Sequence, residues 1–401
     1  MIICHIWDAD YPWDVRVEKV CDSLAKKHIV HLICRNSKRR PSYEQTKHLH
    51  IHRLPALSPS WGRLNNLIGF PAFCNPLWIY HIWRTVRKVK ADVIIVRDLP
   101  LALTAIGSGR LLGIPVVIDM AENYPAMIQD LWDRAGFSAL NLVVRNPHII
   151  RLVEYLSLRW CDHIMVVVEE SRDRLLSDGV PTGKISLVRN TPTSARWEEV
   201  PSSHDSVVTR VSNSLVLVYL GLLEWPRGIE TAIRAMLIVR KRIPGVRLLI
   251  VGTGRHENDF KRLVDELQLL EHVTFLGWLD YVSAIRVILE SDIGLVPHHA
   301  TESWNTTVPN KLFDYMSMGK PVIVSNAKPT ERIVEEERCG LVFPDRDFDE
   351  FARAVFKLEQ ASTREEMGQN GKAAIAKRYN WAVDELQLFQ ALDQVAEGRK
   401  R

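Results

Sequence analysis

In the stretch "VPNKLFDYMSMGKPVIVSN", residues 308–326, Lys311 and Asp314 stand three positions apart behind Pro309, and Gly319 with Pro321 closes the segment before a β-branched run. Proline fits the first turn of a helix, where its missing N–H breaks no bond. The helix is therefore expected to open at Pro309 and to carry Asn310, Lys311 and Asp314 in its first two turns. Positions i and i+3 share a helix face. A carboxylate there can accept two hydrogen bonds from a vicinal diol, each worth about 1.5–3 kcal/mol because the acceptor is charged, and a lysine beside it can meet a phosphate. The other reading of the same spacing is a surface ion pair, worth under about 1 kcal/mol.

Two glycine-bearing turns also suit anions. In "VYLGLLEWPRGIETAIRAM" a strand ends at Gly221, a loop carries Arg227 and Gly228, and a helix follows. Amides at a helix amino terminus attract anions by about 0.3–1 kcal/mol, and a guanidinium adds bidentate contacts; a solvated arginine in a plain βα loop is the alternative. "IVGTGRHENDF" sets Gly252 and Gly254 between a strand and a helix, but Glu257 stands where the third glycine of a dinucleotide fingerprint belongs. The nicotinamide-enzyme reading thereby loses its main support. Aspartates recur as "DAD" at 8–10 and "DRD" at 345–347, a pattern that can hold a metal on a diphosphate. Asp8 and Asp10, at the end of the first strand, also suit an acceptor hydroxyl.

These residues need elements to hold them. The runs "IICHIW", "HIVHLIC", "ADVIIVRD", "IPVVIDM" and "DHIMVVVEES" alternate with helical-period segments and read as strands buried on both faces of a parallel sheet. The rhythm stops between 192 and 213, in a polar segment rich in Ser, Pro and Glu, and restarts with "SLVLVYLG", "VRLLIVG", "VTFLGW", "IGLVPH" and "PVIVSN". The expected fold class is α/β, two doubly wound Rossmann-like domains facing a cleft. Residues 1–195 form the first domain, 196–213 a linker, 214–378 the second domain, and 379–401 a helix packing back toward the first. Ligands of such sheets gather beyond the carboxyl ends of the strands.

Composition narrows the partners. A chain of 401 residues, 46% hydrophobic and 25% charged, exceeds one comfortable core. A net charge of +4 from 52 basic and 48 acidic residues is too balanced for a nucleic-acid protein. Six cysteines without CxxC spacing suit reduced thiols rather than a metal or disulfide framework. The opening "MIICHIWDADYPWD" has no secretory-signal pattern, so a cytoplasmic location is expected. Residues 64–83 carry no charge and are bracketed by Arg63 and by Arg84, Arg87, Lys88 and Lys90. Their Asn, Pro and Gly oppose a spanning helix. Trp78, Tyr80 and Trp83 beside the basic flank suit a lipid headgroup region, and a core helix with its loop is the other reading.

Taken in order, Gly221 with Arg227 and Gly228, then "VGTG", "VTFLGW", "VPNKLFDYMSMGKPVI" and "ERIVEEERCGLVF" resemble the retaining glycosyltransferases of family 4, which have the GT-B fold. The first domain joins more loosely through "VRDLPLALTAI" and "IPVVIDMAENYPAM". The resemblance implies transfer of a sugar from a nucleotide-diphosphate sugar to a glycan or lipid-linked acceptor, without a metal, at the inner membrane face. It implies that Asp314 binds the ribose hydroxyls where the family has glutamate, and that Arg227 meets the diphosphate where the family has lysine. Leu222 stands in the place of a second phosphate-binding arginine, for which Lys311 can substitute. Thr306, eight residues before Asp314, stands where a first glutamate belongs, so Thr306 and Thr307, with His298 and His299 nearby, become donor-sugar contacts. Trp278 and Leu279 resemble the nucleobase contact, and Gly221, Gly228, Gly254 and Asn310 complete the donor loops. On the acceptor side, Asp119-Met120-Ala121-Glu122 replaces a D-x-H-E pattern, which leaves Asp119 and Glu122 as candidate catalytic groups beside Arg97, Asp98, Asp8 and Asp10. Arg227 and Lys311 would stabilise the leaving diphosphate. A sugar-nucleotide epimerase of the same architecture, and a non-catalytic glycan-assembly partner suggested by Leu222, Thr306 and Ala121, stay open as other readings.

Overall fold

The computed structural model describes residues 1–12, 14–55, 75–134, 146–193 and 214–398. The chain divides into two units, the first Met1–Asn190 with Asp384–Arg401, the second Thr191–Val383. The expected linker at 196–213 lies outside the described residues.

Among the described residues the first unit holds eight strands, β1 (Ile2–Asp10), β2 (Ile29–Arg35), β3 (Tyr43–Gln45), β4 (Leu49–Arg53), β5 (Val93–Arg97), β6 (Val116–Met120), β7 (His163–Val166) and β8 (Ile185–Leu187), in the order β3-β4-β2-β1-β5-β6-β7-β8. All neighbours run parallel except the edge pair β3 and β4. The central β5 and β6 are buried at every position, as continuous apolar runs in a sheet covered on both faces must be. The helices are α1 (Val15–Ala25), α2 (Pro76–Val89), α3 (Ala102–Leu112), α4 (Tyr124–Arg134), α5 (Pro147–Trp160) and α6 (Glu169–Ser177). Asp14 caps α1 by accepting from the amides of Arg16 and Val17, while Asn75 and Asn146 cap α2 and α5, each followed by a proline that needs no partner. Residues 76–83 of the uncharged stretch thus form the start of α2, behind the Asn75 cap. Trp78 is fully buried in the core, a correction to its expected place at a lipid interface, and residues 64–74 lie outside the described residues.

The second unit holds β9 (Val216–Leu220), β10 (Arg247–Val251), β11 (Val273–Gly277), β12 (Ile293–Val296), β13 (Val322–Ser325) and β14 (Gly340–Phe343), all parallel, in the order β11-β10-β9-β12-β13-β14. Between and after them lie α7 (Ile229–Arg242), α8 (Glu257–Glu266), α9 (Tyr281–Glu290), α10 (Lys311–Ser317), α11 (Lys328–Glu337), α12 (Phe348–Lys357), α13 (Ala361–Lys377) and α14 (Trp381–Gly398). From Asp384 onward α14 belongs to the first unit. Its Asp384 accepts from the Arg189 amide at 3.2 Å, Glu385 pairs with Lys26 at 2.6 Å, and the Phe389 ring meets His28 and Lys27. Among the described residues no helix is long and apolar enough to cross a membrane.

Candidate functional site

The site in the second unit is organised by the end of β9 and by α10. Pro309 does not open that helix. It precedes the first helical residue, Lys311, by two positions, and its carbonyl accepts from Leu312 N at 3.1 Å while Asn310 turns the chain. Tyr315 lies flat where a Cβ on Gly294 would stand, and its hydroxyl accepts from Leu220 N at 2.9 Å, which ties α10 to the end of β9. Lys311 is one turn earlier on the same face. It therefore points at the same strand end, with Nζ 3.8 Å from the centre of the Tyr219 ring and against Gly221, where a Cβ would approach Nζ to 2.9 Å. Gly221 has a φ of 135°, a conformation that only glycine adopts freely.

Lys311 is 7% exposed, and its Nζ has no hydrogen-bond partner among the described residues. The surface ion pair is thereby excluded. Burial first, then the Arg227 guanidinium, holds the Lys311 pKa well below its ordinary value, against the opposing pull of Asp314. Arg227 ends the short 3-10 turn Trp225–Arg227, with Gly228 in the left-handed conformation as the cap before α7. Its guanidinium lies 4.6 Å above the Trp304 ring, and Nη1 donates to His298 Nε2 at 3.1 Å. Burial, then Lys311 and Arg227, depress the His298 pKa strongly, so the imidazole is neutral and its Nε2 lone pair can accept. A guanidinium and a lysine amine thus converge beside a neutral histidine.

The other expected donor residues take varied places. Asp314 is half-buried on α10, Asn310 is exposed at its start, and Trp278 is 69% exposed just beyond β11, with Leu279 beside it. Thr306 and Thr307 are buried, and Thr306 Oγ1 donates to the carbonyls of the turn at Glu302 and Ser303. Gly254 lets its backbone pack on the Leu223 backbone, where any Cβ would clash. The "DRD" aspartates are engaged within the unit, Asp345 with His299 Nδ1 at 2.7 Å and Asp347 as the cap of α12. Trp304 and Tyr219 were missed by sequence reasoning. The lone tryptophan in the polar "TESWNTT" was the only available signal.

In the first unit, Asp119 is fully buried and receives the Arg16 guanidinium, Nε at 3.0 and 2.9 Å and Nη2 at 2.5 Å. This corrects its candidacy as a catalytic group, since both oxygens are engaged away from solvent. Asp98, at φ 56°, accepts from the amides of Ala121 and Glu122 and pairs with the buried Arg97 at 2.9 Å, so Asp98 and Arg97 shape the turn that presents the exposed Glu122. Asp8 pairs with Arg35, and Asp10 accepts from Ser37.

Family comparison decides what such a site belongs to. Residues 14–191 match the glycosyl transferase 4-like domain, and residues 214–360 match the glycosyl transferases group 1. The chain belongs to the group 1 family of glycosyl transferases, with a glycosyl transferase 4-like first domain. It is 26% identical over 181 residues to a phosphatidyl-myo-inositol mannosyltransferase of Mycobacterium leprae, covering 45% of the chain and 46% of that protein. It is 22% identical over 299 residues to the glycogen synthase of Mycobacterium tuberculosis, covering 74% and 67%. The chain spans between 46% and 60% of the length of the first three curated relatives it matches. Among solved structures, the sucrose-phosphate synthase of Thermosynechococcus elongatus aligns over 99% of both chains at a TM-score of 0.74 and 18% identity. Anabaena HepE in complex with UDP-glucose aligns over 98% of this chain and 99% of its own at 0.68 and 16% identity. Both likenesses establish the fold, two parallel-sheet α/β units of the GT-B kind.

Proposed function

We propose that this glycosyltransferase moves a sugar from a nucleoside diphosphate sugar to a glycan or lipid-linked acceptor with retention of anomeric configuration. The observation that carries the reading is Lys311, a buried amine beside Arg227 with no hydrogen-bond partner among the described residues, where burial and Arg227 disfavour the charged form. An uncompensated buried cation is unfavourable unless an anion completes it. A diphosphate is such an anion, and the UDP bound by HepE supports the choice. In this reading Lys311 and Arg227 hold the diphosphate, Asp314 accepts from the ribose diol, and the exposed Trp278 ring gives the base a stacking surface. The two cations stabilise the charge that builds on the departing phosphate, with no metal invoked. A front-face acceptor hydroxyl passes its proton to that phosphate, so no strong protein base is needed, and Glu122 is the acceptor-side candidate.

A thermal-shift panel of nucleoside diphosphates is expected to stabilise the wild-type protein, and Asp314→Ala to abolish the shift. Normal nucleotide affinity in that variant would sink the assignment. Trp278→Ala is expected to weaken the selected nucleotide by about fivefold, the lower end of base-stacking energies, measured by calorimetric titration. The anomeric proton coupling in the product reads out retention.

A further inference from the structure

A cavity of about 480 Å³ opens in the first unit, at the end of the sheet opposite to Glu122. Its floor is the turn before β6 and the start of β7, the amino ends of those strands, whereas Asp98 and Glu122 follow the carboxyl ends of β5 and β6. Every residue that lines it belongs to the first unit. The size suits a small-molecule ligand, for which sites of roughly 300–1,000 Å³ are usual.

The charges around the cavity select against ions of either sign. Two helices end here: α3 stops at Leu112 with Gly113 as its left-handed cap, and α5 stops at Trp160. Helix carboxyl ends carry partial negative charge and disfavour anions. The Asp162 carboxylate adds to that field, and the Val116 amide fixes it by donating to Oδ2 at 2.7 Å. The neighbouring Lys184 does not offset it, because its Nζ is spent on the Leu158 carbonyl of α5 at 2.7 Å. A cation meets the opposite obstacle in Arg110, whose guanidinium has no ion-pair partner among the described residues. What the cavity favours is a neutral ligand rich in hydrogen-bonding groups.

The side chains match one such class. Arg110 lies 5.1 Å from the centre of the Trp160 ring, which holds the guanidinium at the cavity, and the ring itself is 40% exposed. His163 is 3% exposed; its Nε2 is 2.8 Å from Ser186 Oγ, and its Nδ1 has no partner among the described residues. Burial, then Lys184, lowers the His163 pKa, so the neutral ring can donate or accept at Nδ1 according to its tautomer. Gln394 of α14 adds an amide that likewise has no partner among the described residues. Guanidinium, amide and carboxylate are planar groups with paired atoms that meet two adjacent hydroxyls at once, and an indole offers an apolar surface to the C–H face of a sugar ring. A purely apolar ligand would desolvate these groups and leave them unpaired, which is costly.

We infer that this cavity is a second carbohydrate site, in which Arg110, Trp160, Asp162, His163 and Gln394 hold a neutral oligosaccharide. The inference goes beyond the donor-site reading and stands on these five residues alone. Lying away from the carboxyl ends of the strands, the site retains a glycan on the protein without occupying the acceptor side at Glu122.

The test is calorimetric titration of the full chain with maltotriose, cellotriose and mannotriose, in a saturating nucleoside diphosphate, with inorganic phosphate and tetramethylammonium as charged controls. The expected result is binding of at least one trisaccharide and of neither ion. Trp160→Ala is expected to weaken that binding by about fivefold. R110A/Q394A is expected to weaken it by about tenfold, two hydrogen-bonding groups at about threefold each. Trp160→Phe keeps a ring and should retain most of the affinity, and Glu122→Ala should leave it unchanged. The three substituted side chains of the cavity are exposed, so the variants should keep the wild-type unfolding midpoint, which shows that they are folded. Binding of no trisaccharide, wild-type affinity in both Trp160→Ala and R110A/Q394A, or displacement of the trisaccharide by phosphate overturns the inference. So does loss of trisaccharide binding in Glu122→Ala, which would assign the ligand to the acceptor side.

Discussion

Replacing Arg16 with methionine is expected to destabilise the first unit by about 3–5 kcal/mol, the range seen when one partner of a buried ion pair is removed. Arg16 is 1% exposed and Asp119 0%. The guanidinium reaches both carboxylate oxygens, so its loss leaves a charge in the interior with no water to replace it. Arg97 is near, but its Nη1 pairs with Asp98 at 2.9 Å and touches Asp119 at the backbone carbonyl, at 3.4 Å. Urea unfolding at neutral pH measures the loss, and Arg16→Met with Asp119→Leu together should recover most of it, because an apolar pair carries no stranded charge. Burial alone would raise the Asp119 pKa, but Arg16, Arg97 and the hydrogen bonds from Arg16 outweigh it and the net shift is downward. With the folded value below the unfolded one, the unfolded chain binds more protons across that window. The pair's contribution is therefore complete above the unfolded carboxylate range and lost as pH falls through the folded value. The gap between wild type and Arg16→Met should narrow on acidification.

Lys311→Met is expected to act in two opposite directions. Without ligand, the buried Lys311 amine has no hydrogen-bond partner among the described residues, and methionine can fill the same space over Tyr219 without a polar group to desolvate. The ligand-free protein should gain about 1–2 kcal/mol, or roughly 2–6 °C in Tm for a unit of this size. Affinity for a nucleoside diphosphate should fall by about 1.5–3 kcal/mol, the worth of a charged hydrogen bond. An ordinary structural lysine would lose stability and leave affinity alone. Scanning fluorimetry with and without nucleotide separates the two. The pH dependence gives a further sign. Because burial and Arg227 lower the folded Lys311 pKa, the folded protein holds fewer protons than the unfolded chain between that lowered value and the ordinary lysine range. Stability should rise with pH across this window. The methionine variant should lack that rise.

Much of the fold was legible, and particular residues show why the rest was not. The runs "VIIVR" and "VVIDM" announce doubly covered strands by composition alone, and the Asn-Pro pairs before α2 and α5 announce helix starts. Pro309 misled by two positions, because a proline tolerates the residues just before a helix as well as its first turn. The roles of Lys311 and Arg227 were suggested by spacing, but the burial of Lys311 depends on Tyr219 and Gly221, far away in sequence. Asp119 shows the limit most plainly. A strand-end aspartate looks the same whether it faces a substrate or an arginine 103 residues earlier. The Trp304 platform under Arg227 had no periodicity to reveal it, only the oddity of a large ring in a polar loop.

The central claim is that the second unit keeps Lys311 buried, with no hydrogen-bond partner among the described residues, for the diphosphate of a sugar donor. Its most direct test is calorimetric titration of wild type and Lys311→Met with the best-binding nucleoside diphosphate and with the nucleoside that lacks its phosphates. The expected result is a wild-type preference of at least about tenfold for the diphosphate, and a loss of most of that preference in the variant while nucleoside affinity is unchanged. A preference for the diphosphate that survives intact in Lys311→Met would contradict the account.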